Sequence, residues 1–249
     1  MLTKILALAV LLAHITASPV EKRQDGVQVI NNCEVSGQLA LTYDDGPWNY
    51  EEDISNQFTA AGAKTTFFLN GNNYVCIYDR VDQIRALHAA EHTLGSHTWS
   101  HADLTTLSYD EIVSELEQVE DAFVKILGVK PLYFRPPYGS YNDQVLQILA
   151  DRGYKKVILW TEDTGDANGE SVQFSENVID GINDFPNPHL VLEHSPIDTT
   201  HSQVVPYAIS TLQERGWQLV AIDTCLGSNG EWPYEYVGEP GTPDDTWHC

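Results

Sequence analysis

Leu39-Ala40-Leu41-Thr42-Tyr43-Asp44-Asp45-Gly46-Pro47 decides the fold: an apolar run breaks off on two carboxylates and a turn. Leu39 to Tyr43 reads as a strand buried on both faces, the form strands take in a parallel sheet covered by helices. A helix over about Glu51–Ala61 follows, then a strand over Thr65–Leu69, a helix over Asp79–Ala90 and a short strand over Thr93–Ser96. The clearest helix starts at Ser108, where Glu111 completes a capping box. It puts Ile112, Leu116, Val119, Phe123 and Ile126 on one face and stops at Gly128. The alternation continues through Leu132–Phe134, a helix capped by Asn142 and ended by Gly153, Val157–Trp160 and a helix near Phe174–Ile182. His189–Leu192, a helix from about Ser202 to Arg215 and Trp217–Ile222 complete it. About seven such β/α alternations predict an α/β fold with a parallel sheet and helices outside it. A length of 249 residues suits a closed or nearly closed, TIM-like barrel, in which reactive groups follow the C-terminal ends of strands.

Polar clusters stand where that rule puts them. Asp44-Asp45 ends the first strand; adjacent carboxylates repel unless something positive sits beside them, so one can bind a metal while the other acts as a base. By itself the segment also fits an Asp-Gly-Pro turn. His97-Thr98-Trp99-Ser100-His101 follows the third strand, and histidines four apart share a face if the segment is helical, close enough to grip one divalent ion. With a carboxylate pair one strand end away, the histidines point to a metal site. Arg135-Pro136-Pro137-Tyr138-Gly139 follows the fourth strand, and its prolines make the Tyr138 amide the next free donor. Trp160 to Asp166 carries three acids, and Leu192-Glu193-His194 carries a lone histidine.

Together these segments resemble the five motifs of the polysaccharide deacetylase (NodB-homology) family, carbohydrate esterase family 4, and within it the fungal chitin deacetylases. Thr42–Pro47, His97–His101, Arg135–Tyr138, Asp163–Asp166 and Leu192–His194 match in order, and the likeness runs from about Cys33 to Gly227. The resemblance implies a distorted (β/α) barrel and a metal-dependent hydrolase that removes N-acetyl groups from N-acetylglucosamine polymers, with chitin or chitooligosaccharide as substrate. It implies a divalent metal on Asp45, His97 and His101; zinc suits these donors, with cobalt, nickel and manganese as alternatives. Asp44 would be the catalytic base, oriented by Arg135, and His194 the acid, tethered by Asp166 in preference to Asp163. The Tyr138 N–H would line the oxyanion site, and Leu192 the pocket for the acetyl methyl. Ala167 stands where the family usually has Trp, a wall that Trp160 could supply, and Ser195 where Asp is common. An acetylxylan esterase, a peptidoglycan N-acetylglucosamine deacetylase and a non-catalytic chitin-binding protein are the alternative readings.

Composition bounds the rest. A net charge of −23 argues against nucleic-acid partners and tolerates a neutral polymer whose product becomes cationic. Lys4 and the apolar run Ile5–Leu12, followed by Ala17-Ser18, have the layout of a signal peptide over 1–17, too short to span a membrane. Lys22-Arg23 suits a processing protease, which makes 18–23 a short propeptide and 24–249 the deacetylase domain. The expectation is a secreted monomer, extracellular or in the cell wall. Cys33, Cys76, Cys225 and Cys249 then predict two disulfides, with three pairings open. Pairing Cys33 with Cys225 would tie the start of the domain to its end and leave Cys76 for Cys249.

Overall fold

A computed structural model describes residues 26–249; the leader expected over 1–17 and the segment 18–23 lie outside the described residues. Unbroken apolar runs become strands, and capped amphipathic segments become the helices that cover them. In chain order the first elements are β1 (Gln28–Ile30), β2 (Gln38–Gly46), α1 (Glu51–Ala60), β3 (Thr66–Leu69), α2 (Val81–Ala89), β4 (Thr93–Ser96) and α3 (Tyr109–Leu127). Then come β5 (Val129–Pro131), β6 (Tyr133–Phe134), α4 (Asp143–Asp151), β7 (Lys156–Ile158) and β8 (Glu162–Asp163). The last are α5 (Val172–Gly181), β9 (His189–His194), α6 (Val205–Glu214), β10 (Gln218–Leu219), α7 (Ile222–Cys225) and β11 (Tyr234–Tyr236).

The main sheet runs β1-β7-β6-β4-β3-β2-β9-β8, with β10 also paired to β2, and every pairing in it is parallel. It curls into a partly closed barrel with helices outside, the (β/α) barrel expected. The sheet has nine strands rather than about seven. The additions β1 and β8 are three and two residues long, too short to carry a hydrophobic period. The strand expected over Trp217–Ile222 is only Gln218–Leu219, because the chain turns into α7 at Ile222. The helix expected from Ser202 opens as a π-helical turn over Thr200–Val204, and α6 begins beside Pro206, where a missing N–H costs no helical bond.

Helix ends follow their local signals. Glu111 accepts the Ser108 N–H at 2.8 Å, Asn142 Oδ1 accepts the Val145 N–H at 3.0 Å, and Gly128 closes α3 with φ 74°. The period of two along β2 sorts its side chains. Leu39, Leu41 and Tyr43 join the layer under the helices, with Ile54, Phe58 and Leu212. Ala40, Thr42 and Asp44 therefore face the barrel interior. The same alternation in β9 sends Val191 and Glu193 outward and Leu190, Leu192 and His194 inward. Cys33 is bonded to Cys225 beneath the barrel, with Cα atoms 5.1 Å apart. The tail pairs as β11 against β5, crosses α3 through the Gly241 N–H to Lys125 O bond (2.8 Å), and ends in a disulfide from Cys249 to Cys76. Among the described residues no helix is long and apolar enough to cross a membrane.

Candidate active site

Reactive side chains collect at the C-terminal ends of the strands. β2 and β9 lie in parallel register, Thr42 beside Leu192 and Asp44 beside His194, so the Asp-Asp turn and the lone histidine become neighbours. Asp45 has φ 70°, which swings its side chain away from that of Asp44. His97 and His101 do not sit on a helix. The chain after β4 is a loop in which Thr98 (φ 70°) and His101 (φ 60°) take the left-handed region, and these reversals, rather than helical spacing, bring the two rings together at 5.0 Å.

Asp45, His97 and His101 each offer a donor atom, all within 4.8 Å of one another. Asp45 Oδ1 lies 3.2 Å from His101 Nε2 and 3.5 Å from His97 Nε2, is buried, and has no hydrogen-bond partner among the described residues. Burial pushes the Asp45 carboxyl up, but the rings of His97, His101 and His194 outweigh it and hold it down at about 2. His97 directs Nδ1 at the Arg135 carbonyl, 2.7 Å away, so this nitrogen carries the proton and Nε2 is free to ligate. An orphaned carboxylate oxygen facing two ring nitrogens is a fitting receptacle for a divalent cation with nitrogen and oxygen preferences.

Arg135 is wholly enclosed and stacks on Phe68, its guanidinium carbon 4.4 Å from the ring centroid. Its Nη1 donates to Asp44 Oδ1 and to Thr42 Oγ1, each at 2.8 Å, while Nε and Nη2 donate to the Ile158 and Leu159 carbonyls. Asp44 is thereby fixed by one oxygen, and its Oδ2 lies 3.6 Å from His97 Nε2. On the opposite wall, His194 Nδ1 meets Asp166 Oδ1 at 2.8 Å. Asp166 also accepts the His194 N–H and the Thr200 hydroxyl. Burial works against a charged His194 ring, yet Asp166, with help from Asp44 and Asp45, raises it to about 9. Asp163 instead turns back to accept the Gly165 N–H, so Asp166 is the acid in contact with the histidine.

A family model described as polysaccharide deacetylase matches residues 31–157. The chain belongs to the polysaccharide deacetylase family. A chitin deacetylase from a Pestalotiopsis species is 39% identical over 88% of this chain and 74% of its own length. A probable peptidoglycan-N-acetylglucosamine deacetylase from Arthroderma benhamiae is 34% identical over 80% of this chain, which spans only 46% of it. The solved structure of the chitin deacetylase from Colletotrichum lindemuthianum superposes with a TM-score of 0.79 at 32% identity, covering 84% of this chain and 96% of that one.

In this deacetylase the clusters open onto one cavity of about 530 Å³. Asp44, Asp45, His97, His101, His194 and Leu192 line it, and so do Tyr138, Trp160 and Asp163. Arg135 and Asp166 stand behind that surface, in contact with Asp44 and His194. Tyr138 has φ 60° on its proline-stiffened loop; the residue is 70% exposed, and its ring lies beside that of His101, 4.9 Å away. Ala167 opens the wall next to Asp163, and Trp160 closes the side near Gly139. Two aromatic residues near the mouth do not join them: Trp48 packs on Tyr74 at 5.7 Å, Tyr141 is exposed, and neither lines the cavity.

Asn73, Tyr74 and Asn168 also line the cavity, and none was singled out from the sequence. Asn73 and Tyr74 belong to a loop that follows no motif. Asn70 anchors it, giving its N–H to Gly46 O at 2.7 Å and a side-chain N–H to Thr98 O at 3.1 Å. The Cys76–Cys249 bond holds its far end. The only local hint was the run of asparagines and glycine before Cys76.

Proposed function

We propose that this deacetylase hydrolyses the N-acetyl groups of N-acetylglucosamine polymers, with chitin as the principal substrate and chitosan and acetate as products. The observation that carries the reading is the pairing, across one cavity, of the Asp45-His97-His101 donor set beside Asp44 with the His194–Asp166 couple. The names of the Pestalotiopsis and Colletotrichum relatives support chitin as the polymer.

Asp45, His97 and His101 would hold a divalent cation, zinc first by donor type and cobalt, nickel or manganese otherwise. Such a cation, when bound, supplies a Lewis acid that makes water nucleophilic near neutral pH and draws electrons from an acyl oxygen. Asp44, held by Arg135, takes the proton of the attacking water as the C–O bond forms. The Tyr138 N–H meets the charge that develops on the acyl oxygen. His194, its Nδ1 tied to Asp166, gives its other proton to the nitrogen as the C–N bond breaks, so an amine departs and not an amide anion. Leu192 offers the acetyl methyl an apolar wall, and Trp160 offers the sugar a flat one. Secretion to the exterior or cell wall agrees with two disulfides and an insoluble polymer as substrate.

The deciding experiment measures acetate released from chitin oligomers by the parent protein, by the chelated protein before and after Zn²⁺ is restored, and by Asp44→Asn. Loss on chelation, recovery with Zn²⁺ and a fall of about 10²-fold or more in Asp44→Asn are expected. Release indifferent to all three treatments would end the proposal. The Arthroderma relative favours peptidoglycan as a second substrate, and acetate yields on the two glycans side by side separate the readings.

A further inference from the structure

One buried acid takes no part in the chemistry above. Glu51, the first residue of α1, is fully enclosed and forms no salt bridge among the described residues. Both of its oxygens face the Trp48 N–H at 2.9 Å, and Oε1 accepts the Ser195 hydroxyl at 2.6 Å. Ser195 in turn gives its N–H to the Asp44 carbonyl at 3.0 Å. These links close a ring that runs from Asp44 through the turn to Trp48, across Glu51 to Ser195, and back to Asp44. Gly46 lies against it, since a Cβ there would stand 2.5 Å from Glu51 Oε1 and 3.1 Å from Ser195 Oγ. Asp45 sits within the ring at a positive φ that a non-glycine residue keeps only when its surroundings over-determine it.

A carboxylate buried without a cation is costly unless donors converge on it, and here they come from the two segments the site must align. One is the turn that carries the base and the metal-ligating aspartate; the other is the end of β9, where His194 immediately precedes Ser195. We propose that Glu51 is a positioning residue: through Trp48 and Ser195 it holds the Asp44–Asp45 turn in register with His194. It thereby presets the cation site and the proton donor against each other. The kinetic side of this inference rests on the proposed hydrolysis; the cation-binding side does not.

The test uses the full-length protein freed of metal, with Zn²⁺ as the titrant in calorimetry, alongside kinetics on a chitin oligomer. Glu51→Gln keeps the shape but turns one acceptor into a donor. Its Zn²⁺ affinity should fall about 10- to 100-fold and kcat by a similar factor, the range seen when partners of ligands are altered. KM should stay within about twofold of the parent, because no sugar contact is lost. Ser195→Ala should shift both quantities the same way by less, and the double variant should be no worse than Glu51→Gln, because both changes break one ring. Variants with a lowered Tm but parental Zn²⁺ affinity and kcat would overturn the proposal by showing a merely structural acid. If Glu51→Gln does not fold, Ser195→Ala alone decides by the same two readings. If the parent releases no acetate from any glycan, the Zn²⁺ titration still decides.

Discussion

Asp166 grips His194 at two points: Oδ1 meets the ring Nδ1 and Oδ2 meets the backbone N–H, each at 2.8 Å. One carboxylate thus fixes both the place of the histidine and its charge. Without Asp166 the burial of the ring would push its pKa down; with it the ring holds its proton up to about 9. The acid form is present below that value and is lost as the pH rises through it. A bound cation offsets the help from Asp44 and Asp45, so the alkaline limb of kcat in the metal-loaded enzyme is expected at or somewhat below about 9. Asp166→Asn should move that limb toward acid and lower kcat by about 10²-fold or more, read from kcat–pH profiles of the two proteins. An unmoved limb would remove His194 from the role of acid.

Arg135 is predicted to hold the fold together as well as the base. It is the largest fully buried side chain among the described residues, and its partner Asp44 is only 3% exposed. Removing one member of such a pair strands the other charge at a cost of about 3–5 kcal/mol. Arg135→Met should lower the urea midpoint accordingly, and acetate release should fall with it because Asp44 loses its fixed orientation.

Glu193 lies on the other face of β9, beside Tyr43, and neither of its oxygens has a hydrogen-bond partner among the described residues. Burial first, then the charge of Asp166, pushes its carboxyl up to about 8, so it is neutral in the folded protein at pH 7. The unfolded chain ionises this group near pH 4.5. Between these values the folded state binds the extra proton, so stability is full below about pH 4.5 and declines as the pH rises to about 8. Glu193→Gln cannot ionise. Denaturation series should find it equal to the parent near pH 4.5, and more stable by a few kcal/mol, on the order of the linkage relation, at pH 8.

Ala167 leaves one wall of the cavity open. Ala167→Trp supplies an aromatic face there, and such contacts contribute about 0.5–1.5 kcal/mol. The expected result is a KM for chitin oligomers about 2- to 10-fold lower with kcat little changed. A raised KM would mean that the substrate uses the open space.

The element types and the identities of the reactive groups were legible because they depend on local order. Alternation along β2, the Ser108–Glu111 box, the Asn142 cap and the polar clusters after successive strands are patterns read within about ten residues. The partners that make those groups work come from afar. Ser195 reaches Glu51 across 144 positions, and the Cys76–Cys249 bond that holds the Asn73–Tyr74 loop spans 173. Even the histidine pair was found through helical spacing, whereas the chain achieves it with two left-handed residues in a loop. By itself the sequence determined most of the strands and helices and placed the motif side chains at the barrel mouth, since hydrogen bonding and side-chain period act between near neighbours; the short strands β1 and β8 and the Asn73–Tyr74 loop carry no such local signal. Only the tertiary structure decided that β2 lies beside β9, which acid meets His194, and how tightly the Asp44–Asp45 turn is enclosed. Those depend on the order in which strands pair and on the burial of groups far apart along the chain.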